Sequence, residues 1–310
     1  MTNSLNKNKS KTGEQGKVME SSARQKKIAE ISRLFVQAEK EGRKRLLEHE
    51  IYSILKKLNI ALPEHLFFET GSFPTGDQLK NFKTDKIVLK VVSPEIVHKS
   101  DIGGVRFVEK KYSQIINALQ AMEKEVRRKT KNKKEIRGFL ICEAIAYEDV
   151  GFGSELILGL RSSLEFGPVV LVGLGGLDAD LLNAGLKEGQ GTLMVSARMA
   201  EAKSLQKKLA ELSFSPKLFH NYRGRKALLK PRSLIQPALS LAGLGAAFSN
   251  LETGEGFVIE EAEVNPLVIH RGRLVALDGV CRFSRNRFES NPRPYQKIGR
   301  LLKPESIGII

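Results

Sequence analysis

Strand-like runs rich in Val, Ile and Leu alternate with amphipathic helical stretches along most of this 310-residue chain. That order predicts an α+β protein with more than one sheet. Two observations carry the prediction. Five apolar runs between residues 86 and 174 are bounded by glycine, proline or a charge, and a later pair, GFVIEEAEVNPLVI and RLVALDGVCRF, is joined by the turn His270-Arg271-Gly272. The length suffices for two subdomains with cores of their own. With 41% hydrophobic and 28% charged residues, and no apolar run of about 18, the chain reads as soluble and without a membrane-spanning helix.

Residues 1–25 are polar and almost free of aliphatics, so they are expected to form a disordered basic tail. No signal peptide is read there, which makes the cytoplasm the default location. Ile28, Ile31, Leu34, Phe35 and Ala38 recur at helical spacing and predict a helical linker over 26–45. A second helix is expected over 48–58, with Ile51, Ile54, Leu55 and Leu58 on one face. IVLKVVS and GVRFVE then read as strands around a glycine-containing loop. A helix beginning near Ser113 follows and runs into a basic segment at 123–137. GFLICEAI, SELILGL and FGPVVLVGLGG are three more strands; the stretch after them is expected to be mostly helical up to the final pair. Cys142 and Cys281 are too few for a disulfide scaffold and read as buried free thiols.

The net charge of +16 invites a nucleic-acid reading, but its distribution argues against one. Residues 1–45 carry 12 basic and 5 acidic side chains, residues 123–137 carry 8 and 3, and residues 281–310 carry 7 and 2. The remainder is close to neutral, so no basic groove built into the fold is expected. Nor do aromatics interleave with the basic segments.

Three constellations can carry chemistry. Lys90 lies inside an apolar strand and needs a counter-charge; phosphate is a natural one, because Gly103 and Gly104 follow in a turn whose amides can form an anion nest. A lysine snorkelling from a sheet edge before an ordinary hairpin is the plainer alternative. His98 stands at the mouth of that loop, where a neutral imidazole can attack phosphorus. Asn265 and Asp278, brought opposite each other by a hairpin, offer hard oxygen donors suited to Mg2+. As solvent-face residues of alternating strands, Glu261, Glu263 and Asp278 would need no such role.

Taken in order, VLKVVSPEIVHKSDIGGV, CEAI, ELILGL, FGPVVLVGLGG, NYRG, EAEVNPLVI and VALDG resemble the ATP-grasp subunit of ADP-forming acyl-CoA synthetases, the acetate–CoA ligase family related to succinyl-CoA synthetase. The likeness covers residues 46–283. It implies an ATP-grasp fold of two α+β subdomains that hold ATP between them, and Mg2+-dependent phosphoryl transfer to ADP or from ATP through a phosphohistidine. On this resemblance Lys90 contacts the ATP phosphates, and Gly103 and Gly104 form the phosphate loop. Glu143 falls in the adenine-holding segment between subdomains, and Glu155 matches a glutamate of the family's strand. Asn265 and Asp278 match the Mg2+ ligands, with Glu263 beside them, and His98 matches the phosphate-relaying histidine.

The chain departs from the family pattern after GLGG: Asp180 replaces a glutamate, Ala184 stands in place of an aspartate, and no arginine occurs before Arg198. A degenerate or regulatory module that binds nucleotide without turnover is therefore the alternative reading. Residues 284–310 end in LLKPESIGII, which resembles the opening strand of the family's CoA-binding domain. The expectation is a synthetase half that needs a CoA-binding subunit or domain, through which CoA and a small carboxylic acid arrive.

Overall fold

The computed structural model describes residues 6–96, 98–147, 151, 153–163, 166–176, 179–249, 256–285, 303 and 306, with side chains described for residue 22 and from residue 24 on. The chain opens with helix α1 (Asn6–Lys40). It takes in residues 6–25 of the basic tail, whose described side chains are exposed. The added stretch has no proline and is rich in Lys, Glu, Gln and Arg, straight-chain residues that lose little rotamer freedom in a helix. Nor is 26–45 a linker. Ile31, Phe35 and Ala38 are buried, and Phe35 packs against the rings of Phe248, Phe257 and Phe283 at centroid distances of 5.1, 5.6 and 4.7 Å. A 3–4 residue stripe meeting three aromatic rings makes this helix part of the core.

Helix α2 (Glu48–Lys57) follows, its first turn tied by Glu50, which accepts from the Leu47 N–H at 2.6 Å and takes a bidentate pair from Arg43 at 2.8 and 2.9 Å. Then come β1 (His65–Glu69), the short α3 (Gly76–Leu79), β2 (Lys86–Val92), β3 (Val105–Glu109), α4 (Tyr112–Lys129) and β4 (Gly138–Glu143). The four strands form one antiparallel sheet in the order β1-β4-β2-β3. Ile115, Leu119, Met122 and Val126 of α4 cover one face. The basic segment at 123–137 thus starts as the last turns of a packed helix.

Next are β5 (Glu155–Ser163), β6 (Gly167–Leu174), α5 (Ala179–Ala184), β7 (Thr192–Ser196), α6 (Ala202–Ala210), α7 (Ser215–Phe219), α8 (Arg232–Ala247), β8 (Phe257–His270), β9 (Arg273–Ala276) and β10 (Gly279–Arg285). They build a six-stranded antiparallel sheet, β10-β8-β5-β6-β7, with β9 also paired to β8. The run RLVALDGVCRF is thus two strands, broken at Leu277 and Asp278. Opposite the break stands Pro266, which has no N–H to offer the ladder. The sequence reading also passed over β1 and β7.

Two cores result, and β2 belongs to both. Ile87, Leu89 and Val91 face α4, whereas Val88 and Val92 join the larger core around α1, α2 and the six-stranded sheet. Period-2 alternation places Lys90 on the second face, toward α2. Cys142 and Cys281 are buried free thiols, both pushed up to about 12 by burial. Among the described residues no helix is long and apolar enough to cross a membrane. Most of 284–310 lies outside the described residues.

Candidate functional site

The residues singled out by the sequence meet where α2 and the β9–β10 break pass the inner face of β2. Lys90 is 7% exposed. Its ammonium donates to Glu48 Oε1 at 2.6 Å, the Leu277 carbonyl at 2.5 Å and Tyr52 Oη at 3.3 Å. An ammonium has three N–H groups, and all three are engaged. In this arrangement Lys90 is a buried cation joining α2 and both sheets.

A second largely buried ammonium is that of Lys99. It pairs with the other oxygen of Glu48 and lies 3.2 Å from both oxygens of Asp278. Glu48, Lys99 and Asp278 share a small cavity of about 40 Å³, which Lys90 does not line. Burial alone would raise the Glu48 carboxyl, but Lys90 and Lys99 outweigh it and hold Glu48 well below the usual carboxylate range. Both lysines are raised in turn: burial opposes their charge, and Glu48 and Asp278 more than offset it. Glu48 was not foreseen. The signal was present, since it precedes Ile51, Tyr52 and Leu55 at i+3, i+4 and i+7, which is the buried face of α2.

His98 immediately precedes Lys99 and is exposed. The turn after it is made by Gly103, at φ +75°, and Gly104, where a Cβ would come within 2.5 Å of Val91 Cγ1. The glycines are needed to fold the loop onto β2, yet their amides form no nest. Gly103 N–H donates to Ser100 O at 3.1 Å and Gly104 N–H to Lys99 O at 2.7 Å, so neither is open to an anion.

A second group gathers on the six-stranded sheet. Glu155, at the start of β5, accepts from Tyr147 Oη at 2.6 Å. It lies so close to Gly176 (φ +82°) that a Cβ there would fall 1.7 Å from Glu155 Oε2. Asn265 Oδ1 accepts the Gly176 N–H at 2.8 Å, and its Nδ2 donates to Glu263 Oε1 at 3.2 Å. Burial raises the Glu263 carboxyl, Asn265 opposes that, and nearby Glu261 adds to it. Asn265 and Asp278 are adjacent across the ladder, Asn265 N–H reaching Asp278 O at 3.3 Å. Their side chains have different tasks, however: Asn265 holds Gly176, while Asp278 holds Lys99 and the Gly279 N–H at 2.7 Å. Among the described residues no three His, Cys, Asp or Glu side chains gather closely enough to hold a metal by themselves. Glu143 ends β4 just before the segment that crosses to the second sheet, and its Oε1 accepts from the Lys83 N–H.

The ATP-grasp domain family matches residues 37–282. Among curated relatives, 4-hydroxybutyrate–CoA ligase (ADP-forming) of Nitrosopumilus maritimus is 28% identical over 79% of this chain and 32% of its own length. The beta subunit of acetate–CoA ligase (ADP-forming) I of Pyrococcus furiosus is 30% identical over 50% of this chain and 63% of the subunit. This chain therefore spans about a third of the first relative and less than two thirds of the second. An acetyl-coenzyme A synthetase from Ca. Korarchaeum cryptofilum, solved with coenzyme A and Ca-AMPCP, shares the fold with a TM-score of 0.64 at 24% identity, covering 81% of this chain and 98% of that one. The two sheets joined at Lys90, the residues matched and these relatives agree: the chain belongs to the ATP-grasp family.

Proposed function

We propose that the chain is the ATP-binding, phosphoryl-transferring part of an ADP-forming acyl-CoA synthetase acting in the cytoplasm. The overall reaction is acid plus CoA plus ATP to acyl-CoA, ADP and phosphate. The observation that carries the reading is the mooring of the His98 loop: Lys99 ties it to Glu48 of α2 and to Asp278 of the six-stranded sheet, so an exposed imidazole sits at the junction of the two sheets. An unprotonated imidazole nitrogen there attacks the terminal phosphorus of ATP. The N–P bond forms as the bond from phosphorus to the ADP oxygen breaks, and Lys99 lies beside the charge being moved. Exposure of His98 leaves the phosphoryl group accessible to a CoA-binding partner, which supplies the acid and CoA. Mg2+ is the expected companion of the nucleotide, and the side-chain oxygens of Asn265, Asp278 and Glu263, which lie on neighbouring strands, would hold it and supply charge neutralisation for the phosphates.

The test is labelling of the full chain with γ-labelled ATP in the presence of a CoA-binding partner, acid and CoA. An acid-labile, base-stable label at His98 that disappears in His98→Ala is the expected result. A label that persists in that variant removes His98 from the relay.

A further inference from the structure

Charge counted over long windows leaves the body of the chain near neutral, but a shorter window does not. Residues 217–232 (KLFHNYRGRKALLKPR) hold six basic side chains and no acidic one. The fold gathers four of the six around one pocket of about 590 Å³, whose described lining is Lys217, Tyr222, Arg223, Arg225, Lys226 and Leu228. That volume is in the range of small-ligand sites. The lining shares no residue with either group described above.

The loop is built to present these cations. Tyr222 and Arg225 exchange both backbone hydrogen bonds at 3.0 Å, closing a two-residue turn with Arg223 at φ +47° and Gly224 at φ +80°. Two positive φ values are the requirement of the tightest hairpin turn, and asparagine or glycine is the usual first residue. Arginine there is strained, and such strain concentrates at ligand clamps. The base of the loop is fixed by the Leu228 and Leu229 N–H groups, which both donate to Leu218 O at 3.0 and 2.9 Å. Among the described residues Arg223, Arg225 and Lys226 form no ion pair, and the guanidinium of Arg223 lies 5.6 Å from the centroid of the Tyr222 ring.

We infer that this pocket binds a small organic polyphosphate carrying a flat ring, such as a nucleotide or the nucleotide portion of coenzyme A. Guanidinium groups match phosphate oxygens two at a time, and Lys226 and Lys217 add point charges. Tyr222 supplies a face for the ring. The described lining holds one aromatic ring, Tyr222, and no row of them on which successive bases could stack, which favours a small molecule over a nucleic acid strand.

Calorimetric titration of the full chain with ADP, coenzyme A and tripolyphosphate in Mg2+-free buffer probes the pocket. ADP and coenzyme A are expected to bind, tripolyphosphate more weakly. The combined Arg223→Gln, Arg225→Gln and Lys226→Gln variant should weaken the first two at least tenfold while leaving Mg2+-dependent ATP binding and His98 labelling unchanged. Tighter binding of coenzyme A than of ADP identifies coenzyme A as the source of the ligand, and equal affinity a free nucleotide. Tyr222→Ala should reduce ADP to the level of tripolyphosphate. If the triple variant loses its melting transition, Arg223→Glu at the exposed turn tip replaces it, with unchanged melting and at least fivefold weaker ADP binding expected. Absence of Mg2+-free binding by any probe, or unchanged affinity in these variants, overturns the inference.

Discussion

Glu48 is the residue on which the buried charges balance. With Glu48→Gln, Lys90 and Lys99 lose the carboxylate they share, and leaving buried charge uncompensated costs about 3 to 5 kcal/mol. The pH dependence follows from the sign of the shift. The folded Glu48 is held below its ordinary value of 4.5, at about 2, so its stabilisation is complete above pH 4.5 and is lost as pH falls toward 2. Urea midpoints measured across that window should converge for wild type and Glu48→Gln at the acid end; a gap that stays constant would place the effect elsewhere. The two lysines should also separate. Lys90→Met strands one side of Glu48 and should chiefly lower stability, whereas Lys99→Met should weaken ATP binding by about 1.5 to 3 kcal/mol, the scale of a charge-assisted contact. Calorimetry in which Lys99→Met binds ATP like wild type would remove Lys99 from the site.

At the scale of elements, α1 has two unequal halves. Its described side chains before Ile28 are exposed, and its burial begins with the stripe that carries Ile31, Phe35 and Ala38. Deleting residues 1–25 should therefore move the melting temperature by no more than a few degrees. Phe35→Ala, which opens a cavity among three aromatic rings, should cost about 3 to 5 kcal/mol by denaturant unfolding. A large loss on truncation would show that the basic half packs. The strands divide by legibility in a similar way. IVLKVVS announced β2 because its apolar run is continuous and both faces are covered. HLFFE and TLMVS, now β1 and β7, are five-residue edge strands without alternation, too short for periodicity to separate from loop or helix.

At the scale of the molecule, polar contacts tie the two sheets together: Lys90 of β2 and Lys99 of the loop after it meet Leu277 and Asp278 at the β9–β10 break. The proposed phosphoryl-transfer role predicts that these 310 residues bind ATP and depend on a CoA-binding partner for acyl-CoA formation. Thioester production should appear only when a CoA-binding partner is added. Formation of acyl-CoA by this chain alone would show that the partner is dispensable.

Local periodicity and spacing were enough to read the α+β class, most strands, the lysine within an apolar strand and the ordered motifs that mark an ATP-grasp chain. Which charge neutralises which is set by packing alone. Glu48 lies 42 residues from Lys90 and Asp278 lies 179 from Lys99, so no local pattern could pair them. The same holds for Gly103 and Gly104, whose amides were free to bind an anion in sequence but are consumed by their own turn once it is folded against Val91. Spacing can nominate charged residues; only the packed fold shows which of their charges and hydrogen bonds remain to be satisfied by something else.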